Sequence, residues 1–295
     1  MRGAHPERDV ETAIERSGSL RHGERVLIAC SGGPDSVALA AALHALAKRM
    51  QLTIALAHVN HGLRASAWQD ECVVLQIAAR FAMPLEVLAL QGSERDEQHL
   101  RAARYDALLE AALRQAASVV VTAHHAEDQS ETVLLALLRG AGPEGLRGMR
   151  GRRPLASGLD LARPLVGIPS QTLRVYCHAR ALPYAVDPTS AQRGLRRNAV
   201  REALATLRPL FPGLDAAVAR AAQLVSEEQD DTPRAELRRS IRDQLAAEDG
   251  LRDIDFAHVE EAVRAIETGR TGTFHMKPGL ALRIERGSIW DIRNE

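Results

Sequence analysis

Four short apolar runs, Val26–Cys30, Thr53–Val59, Leu85–Leu90 and Ser118–Ala123, alternate with four segments of helical period, Ser36–Lys48, Ala67–Phe81, Glu97–Gln115 and Glu127–Arg139. Strands that are apolar almost throughout belong to a parallel sheet with helices on both faces, because neither face meets water. Strand–helix alternation predicts an α/β fold, a doubly wound and mainly parallel sheet joined by right-handed crossovers. In such sheets ligands bind beyond the carboxyl ends of the strands.

The first of those ends carries Ser31-Gly32-Gly33-Pro34-Asp35-Ser36. Two glycines let backbone N–H groups approach an anion, the serines add hydroxyl donors, and the following helix brings partial positive charge. No lysine follows the glycines, unlike the loop that reaches the β- and γ-phosphates. Such a loop suits attack on the α-phosphate of ATP with pyrophosphate leaving.

Later strand ends add further groups. His58-Val59-Asn60-His61-Gly62-Leu63-Arg64 closes the second strand, placing a nucleoside site and Arg64 beside the first loop. Thr122 to Thr132 brings His124, His125, Asp128 and Glu131 to the fourth. Asp128 and Glu131 are three apart at a helix start and share a face, a paired-carboxylate site for an ammonium or a divalent metal. The same carboxylates would also complement the helix dipole. Zinc lacks a cysteine or a third histidine here. Arg101 and Arg104 share a helix face with Glu97, and Arg197 and Arg201 lie one turn apart, spaced to grip phosphates.

The chain has 295 residues and a formal net charge of zero, yet Arg139–Arg208 holds thirteen arginines against four acids, an excess of +9. A concentrated basic segment in a neutral protein points to a polyanionic partner. Cys30, Cys72 and Cys177 are isolated and form no CxxC pair, which fits a reduced, cytoplasmic setting. No apolar stretch approaches membrane-spanning length and no secretory signal is visible. Gly140–Leu161, rich in Gly, Pro and Arg, reads as a mobile loop. Pro209, Pro212 and Gly213 divide the chain into residues 1–212 and a smaller, mostly helical domain, 213–295, ending in short strands.

SGGPDS, HVNHGLR, the Arg101–Tyr105 stretch, TAHHAEDQSET, LLRGAGPEGLRGM, RPLVGIP and DPTS with RRNAVR stand in an order that resembles the tRNA(Ile)-lysidine synthase family of N-type ATP pyrophosphatases. Asn60 and Ser190 depart from the family pattern. The resemblance covers roughly residues 23–212 and makes 1–212 an ATP pyrophosphatase catalytic domain. It implies ATP-dependent ligation of lysine to C2 of the wobble cytidine of tRNA(Ile) with a CAU anticodon, through an adenylated base. Ser31, Gly32, Gly33, Pro34, Asp35, Ser36, His58 and Arg64 would bind ATP, with Asp35 acting through Mg²⁺. Asp128, Glu131 and His124 would bind lysine, and Asp35, Arg104, His124 and Asp128 would serve catalysis. Arg139, Arg147, Arg197 and Arg201 would hold tRNA, with the C-terminal domain in support. A homodimer is left open. The alternative within the superfamily is a tRNA thiolase, which generally needs paired cysteines or an iron–sulfur cluster. Amide synthesis on a small molecule leaves the basic segment unexplained, and a nucleotide-binding RNA-binding protein without catalysis predicts that Asp35→Asn leaves tRNA affinity and cellular role intact.

Overall fold

The computed structural model describes residues 6–60, 67–90, 97–185, 195–229, 233–248, 254 and 256–294. Arg64, like Asp187 to Ser190, lies outside the described residues. The chain divides into two compact units, Met1–Gln223 and Leu224–Glu295. That division falls within a helix, Leu214–Gln229, rather than at the Pro209–Gly213 breaker.

In the first unit the order is α1 (Pro6–Arg16), β1 (Arg25–Ala29), α2 (Pro34–Met50), β2 (Thr53–Asn60), α3 (Ala67–Arg80), β3 (Leu85–Ala89), α4 (Glu97–Arg114), β4 (Val119–Val121) and α5 (Ala126–Leu138). Then come α6 (Pro143–Leu146), β5 (Arg152–Ala156), β6 (Leu159–Ala162), α7 (Ser170–Ala179) and α8 (Leu195–Leu207), and α9 (Leu214–Gln229) runs across the division. The strands form one six-stranded sheet in the order β3-β2-β1-β4-β6-β5, parallel except for β5. Chain direction along the sheet reverses between β1 and β4, which pair in register Val26↔Val119 to Ile28↔Val121. That crevice is where a doubly wound sheet receives a ligand.

Side-chain alternation in the strands builds two cores. Val26, Ile28, Leu56, Val119 and Val121 pack with Val37, Leu39 and Leu43 of α2, Val74 and Ile77 of α3, Leu173 and Tyr176 of α7, and Val10 and Ile14 of α1. Leu27, Ala57, Val120 and Leu161 face the other way, against Leu108, Ala111 and Ala112 of α4. Helices therefore cover both faces, as the apolar strands require.

The expected loop at Gly140–Leu161 is instead ordered: α6, then β5 and β6 as an antiparallel hairpin turning at Ser157–Gly158, with Gly158 at φ +72. Its charges hid it. Arg152, in an edge strand, is 2.8 Å from Glu24 and 2.6 Å from Asp160, so a residue that reads as solvated is neutralised in place.

In the second unit α10 (Pro233–Glu248) and α11 (Phe256–Glu267) precede an antiparallel sheet of β7 (Gly272–Lys277), β8 (Leu280–Glu285) and β9 (Ser288–Asn294). Ile241, Leu245, Val259 and Val263 of the helices pack on Phe274, Met276, Leu282 and Ile284 of the sheet. Among the described residues no helix is long and apolar enough to cross a membrane.

Candidate active site

β1 ends in the Ser31–Ser36 turn. Ser36 Oγ organises it: the hydroxyl donates to the Gly33 carbonyl at 3.0 Å, and it accepts the Ser31 N–H at 3.1 Å. Ser31 Oγ lies 3.2 Å from the same oxygen. Gly32 sits at φ +88, and a Cβ there would meet the Asp70 carbonyl oxygen of α3 at 2.7 Å. Both the turn and the packing therefore demand glycine. Gly33 is different. As N-cap of α2 it has φ −74, and among the described residues a Cβ would find only Ser31 Oγ, at 3.7 Å. Among the described residues the packing does not require a glycine there, and the missing side chain leaves the first-turn N–H groups of α2 open. Pro34 at the first helical position sacrifices no hydrogen bond.

Asp35, in that first turn, has Oδ1 buried without a partner among the described residues and Oδ2 at 3.6 Å from His125 Nε2. Burial raises its pKa, the His125 charge lowers it, and the Asp128 charge raises it again. An orphaned, buried carboxylate oxygen beside a phosphate-sized turn fits Mg²⁺, which is commonly held by one or two carboxylates and substrate phosphates.

β4, adjacent to β1, ends in Thr122 to His125, and α5 begins there. His125 caps α5: its backbone N–H donates to Asp128 Oδ2 at 3.2 Å. Its Nδ1 lies 2.9 Å from Glu127 Oε2, and its Nε2 lies 3.5 Å from Asp128 Oδ2. Burial opposes the imidazolium, but the Glu127 hydrogen bond and the carboxylates of Asp128, Asp35 and Glu127 prevail and push its pKa up to about 9. One cationic ring thus joins the glycine turn to the acidic helix. Glu127 is anchored in turn by Ser170 at the start of α7, accepting its N–H at 3.0 Å and its hydroxyl at 2.8 Å. Burial raises the Glu127 pKa, but the His125 and Ser170 hydrogen bonds bring it down to about 2. Neither His125 nor Glu127 was assigned a site role from sequence; the signal was their place, between His124 and Asp128 at a strand end.

The apolar residues of α5, Val133, Leu134, Leu137 and Leu138, do not form its buried side. Leu137 and Leu138 are 55% and 69% exposed. The buried side is largely polar: Gln129, Ser130 and Glu131, with Ala126 and Ala136. Each polar group there is satisfied. The Gln129 side chain exchanges hydrogen bonds with the Met149 backbone, and the Ser130 hydroxyl donates to the Ala126 carbonyl. Glu131, 4% exposed, takes Arg197 Nε at 3.1 Å and Arg201 Nε at 2.5 Å, both from α8. A residue expected to bind lysine and two expected to bind tRNA are here one another's partners.

Of the other expected site residues, His58 is buried with Nδ1 at 2.9 Å from the Cys30 carbonyl, so its N–H fixes the end of β1 below the turn. Arg139 is exposed, its Nε bonded to the Leu135 carbonyl. Arg147 is only 8% exposed and folds back onto Glu144 at 3.4 Å.

A basic group on α4 acts on His124. Arg101 and Arg104 of α4 lie over the Tyr105 ring, 5.3 and 5.8 Å from its centroid. Burial pulls the His124 pKa down, the Asp128 carboxylate opposes this, and Arg163, Arg101 and Arg104 reinforce it, leaving the value near about 3. His124 is therefore a neutral imidazole at physiological pH, its Nδ1 at 2.8 Å from Thr122 Oγ1.

Residues 5–207 match the PP-loop domain family. The tRNA(Ile)-lysidine synthase of Salinispora arenicola is 40% identical over 230 residues, a match covering 76% of this chain and 69% of that protein. The one from Symbiobacterium thermophilum is 37% identical, covering 74% and 47%. The one from Dehalococcoides mccartyi is 31% identical over 301 residues, covering 88% and 64%. The chain thus spans between 47% and 69% of the length of these relatives. Among solved structures, a U34-tRNA thiolase from Methanococcus maripaludis shares the fold: TM-score 0.65, 15% identity, 76% of this chain and 79% of that one.

Proposed function

Because the chain belongs to the tRNA(Ile)-lysidine synthase family of PP-loop proteins, we propose that it ligates lysine to the wobble cytidine of tRNA(Ile) bearing a CAU anticodon, consuming ATP. The observation that carries this reading is the juxtaposition of a lysine-free glycine turn and an acidic helix start on adjacent strands, joined by His125 between Asp35 and Asp128.

In the first step the cytidine O2 attacks the α-phosphorus and pyrophosphate leaves. The Ser31–Ser36 turn holds the departing phosphates through first-turn N–H groups and serine hydroxyls. Asp35 would hold Mg²⁺, which would supply neutralisation of phosphate charge. In the second step the lysine ε-amine attacks C2, the C2–O bond breaks, AMP leaves and the amine gives up a proton. Asp128 binds the amine close to the reacting base, a gain through orientation. His124, neutral and half-buried, and Arg104 line the pocket, with Arg104 placed to offset α-phosphate charge. Glu131 joins Asp128 only when Arg197 or Arg201 moves from it onto RNA phosphate. Arg139 and the rest of the basic segment supply sequence-independent attraction for tRNA. The reading includes a cytoplasmic location, and sedimentation would establish whether two copies associate.

Sulfur insertion has less behind it. Cys30 and Cys177 are buried and Cys72 is exposed, all three as free thiols. The test is release of AMP and pyrophosphate with tRNA(Ile) as acceptor. Dependence on lysine supports ligation; indifference to lysine with dependence on a sulfur donor overturns it.

A further inference from the structure

Arg163 stands where the chain leaves β6, the strand beside β4, and so beside the end that carries His124. It is only 4% exposed. Its Nη1 donates to the Arg150 carbonyl at 3.0 Å and its side chain hydrogen-bonds Tyr105, but its Nε is buried with no acceptor among the described residues. Among the described residues no carboxylate lies in ion-pair contact with it. Burial lowers its pKa, Tyr105 opposes that, and the like charges of Arg153 and Arg101 lower it further. A buried cation among cations is costly unless an anion completes the group.

Resting on the ligase reading above, we propose that Arg163, with Arg101 beside it, receives the α-carboxylate of the amino-acid substrate. The edge of the sheet sets the order. The glycine turn follows β1, Asp128 follows β4 and Arg163 follows β6, with neighbouring strands about 5 Å apart. An extended amino acid lying along this edge places its side-chain amine at Asp128, next to the turn, and its carboxylate at Arg163. A forked guanidinium with a free Nε–H suits a carboxylate and adds direction as well as charge.

The same guanidinium chemistry would suit a nucleotide phosphate, and the experiment separates the two. Lysine is compared with 1,5-diaminopentane, the same amine without the carboxylate, in wild type, Arg163→Gln and Arg163→Lys. Pyrophosphate release in the absence of amine reports the nucleotide step alone. Wild type is expected to prefer lysine in kcat/KM by about 10- to 100-fold, the worth of charge-assisted hydrogen bonds. Arg163→Gln is expected to lose that preference through a higher lysine KM while its ATP KM holds. Arg163→Lys is expected to keep part of it; if Arg163→Gln does not fold, an undiminished preference in Arg163→Lys overturns the proposal. So does a wild type that uses both amines equally, or an Arg163→Gln whose ATP KM rises while its lysine KM holds. Absence of lysine-dependent AMP release in wild type would overturn the ligase reading itself, and this proposal with it.

Discussion

Replacing Glu131 by Gln tests whether its buried carboxylate holds α5 to α8. Glu131 is 4% exposed, and its two oxygens take Arg197 Nε at 3.1 Å and Arg201 Nε at 2.5 Å. Removing one partner of a fully buried pair costs about 3–5 kcal/mol. Here the two arginine side chains are 25% and 26% exposed, so water softens the loss. The glutamine oxygen also keeps one of the two acceptor positions. A cost of about 2–3 kcal/mol results, which lowers Tm by roughly 4–10 °C in a unit of this size. Thermal unfolding of Glu131→Gln, Arg201→Ala and the double variant measures it, and the cycle should return a coupling of about 1–2 kcal/mol. If both single variants melt within about 1 °C of wild type, the pair is a solvated surface contact and the argument from burial fails.

Three further outcomes follow from the site. Gly33→Ala should melt like wild type, since φ is −74 and the nearest atom to a Cβ is 3.7 Å away, but its ATP KM should rise about tenfold as the methyl crowds the phosphates. Gly32→Ala should lose about 2–4 kcal/mol of stability, from φ +88 and a 2.7 Å approach to the Asp70 carbonyl; an unchanged urea midpoint would refute that. Glu127 has a folded pKa of about 2, below its ordinary 4.5, so its stabilisation is complete above 4.5 and is lost as pH falls toward 2. Urea midpoints at about pH 3 and pH 6 should therefore differ less in Glu127→Gln than in wild type.

What the sequence disclosed and what it hid divide by range. The Ser31–Ser36 turn and the Thr122–Glu131 stretch are local, each tied to an apolar strand, and strand alternation places both at one sheet edge. The partners of Glu131 lie 66 and 70 residues away, so no local pattern connects them. The same distance concealed the polar buried side of α5: Glu131 reads as exposed until two arginines are known to cover it. Arg152 hid β5 in the same way, since Glu24, its partner, is 128 residues distant. α1 escaped because its buried side shows little more than Val10 and Ile14, one turn apart among charges. His125 was visible as a residue but not as a link, because its role depends on Asp35 coming from another strand.

The central claim is that the glycine turn and the acidic helix start share one reacting centre. A crystal structure with a non-hydrolysable ATP analogue and lysine bound tests it most directly. The account predicts the α-phosphorus over the Ser31–Ser36 turn and the lysine amine at Asp128, separated by no more than a nucleobase ring. Nucleotide and amino acid bound at separate faces of the sheet, with no path for a base to bridge them, would contradict it.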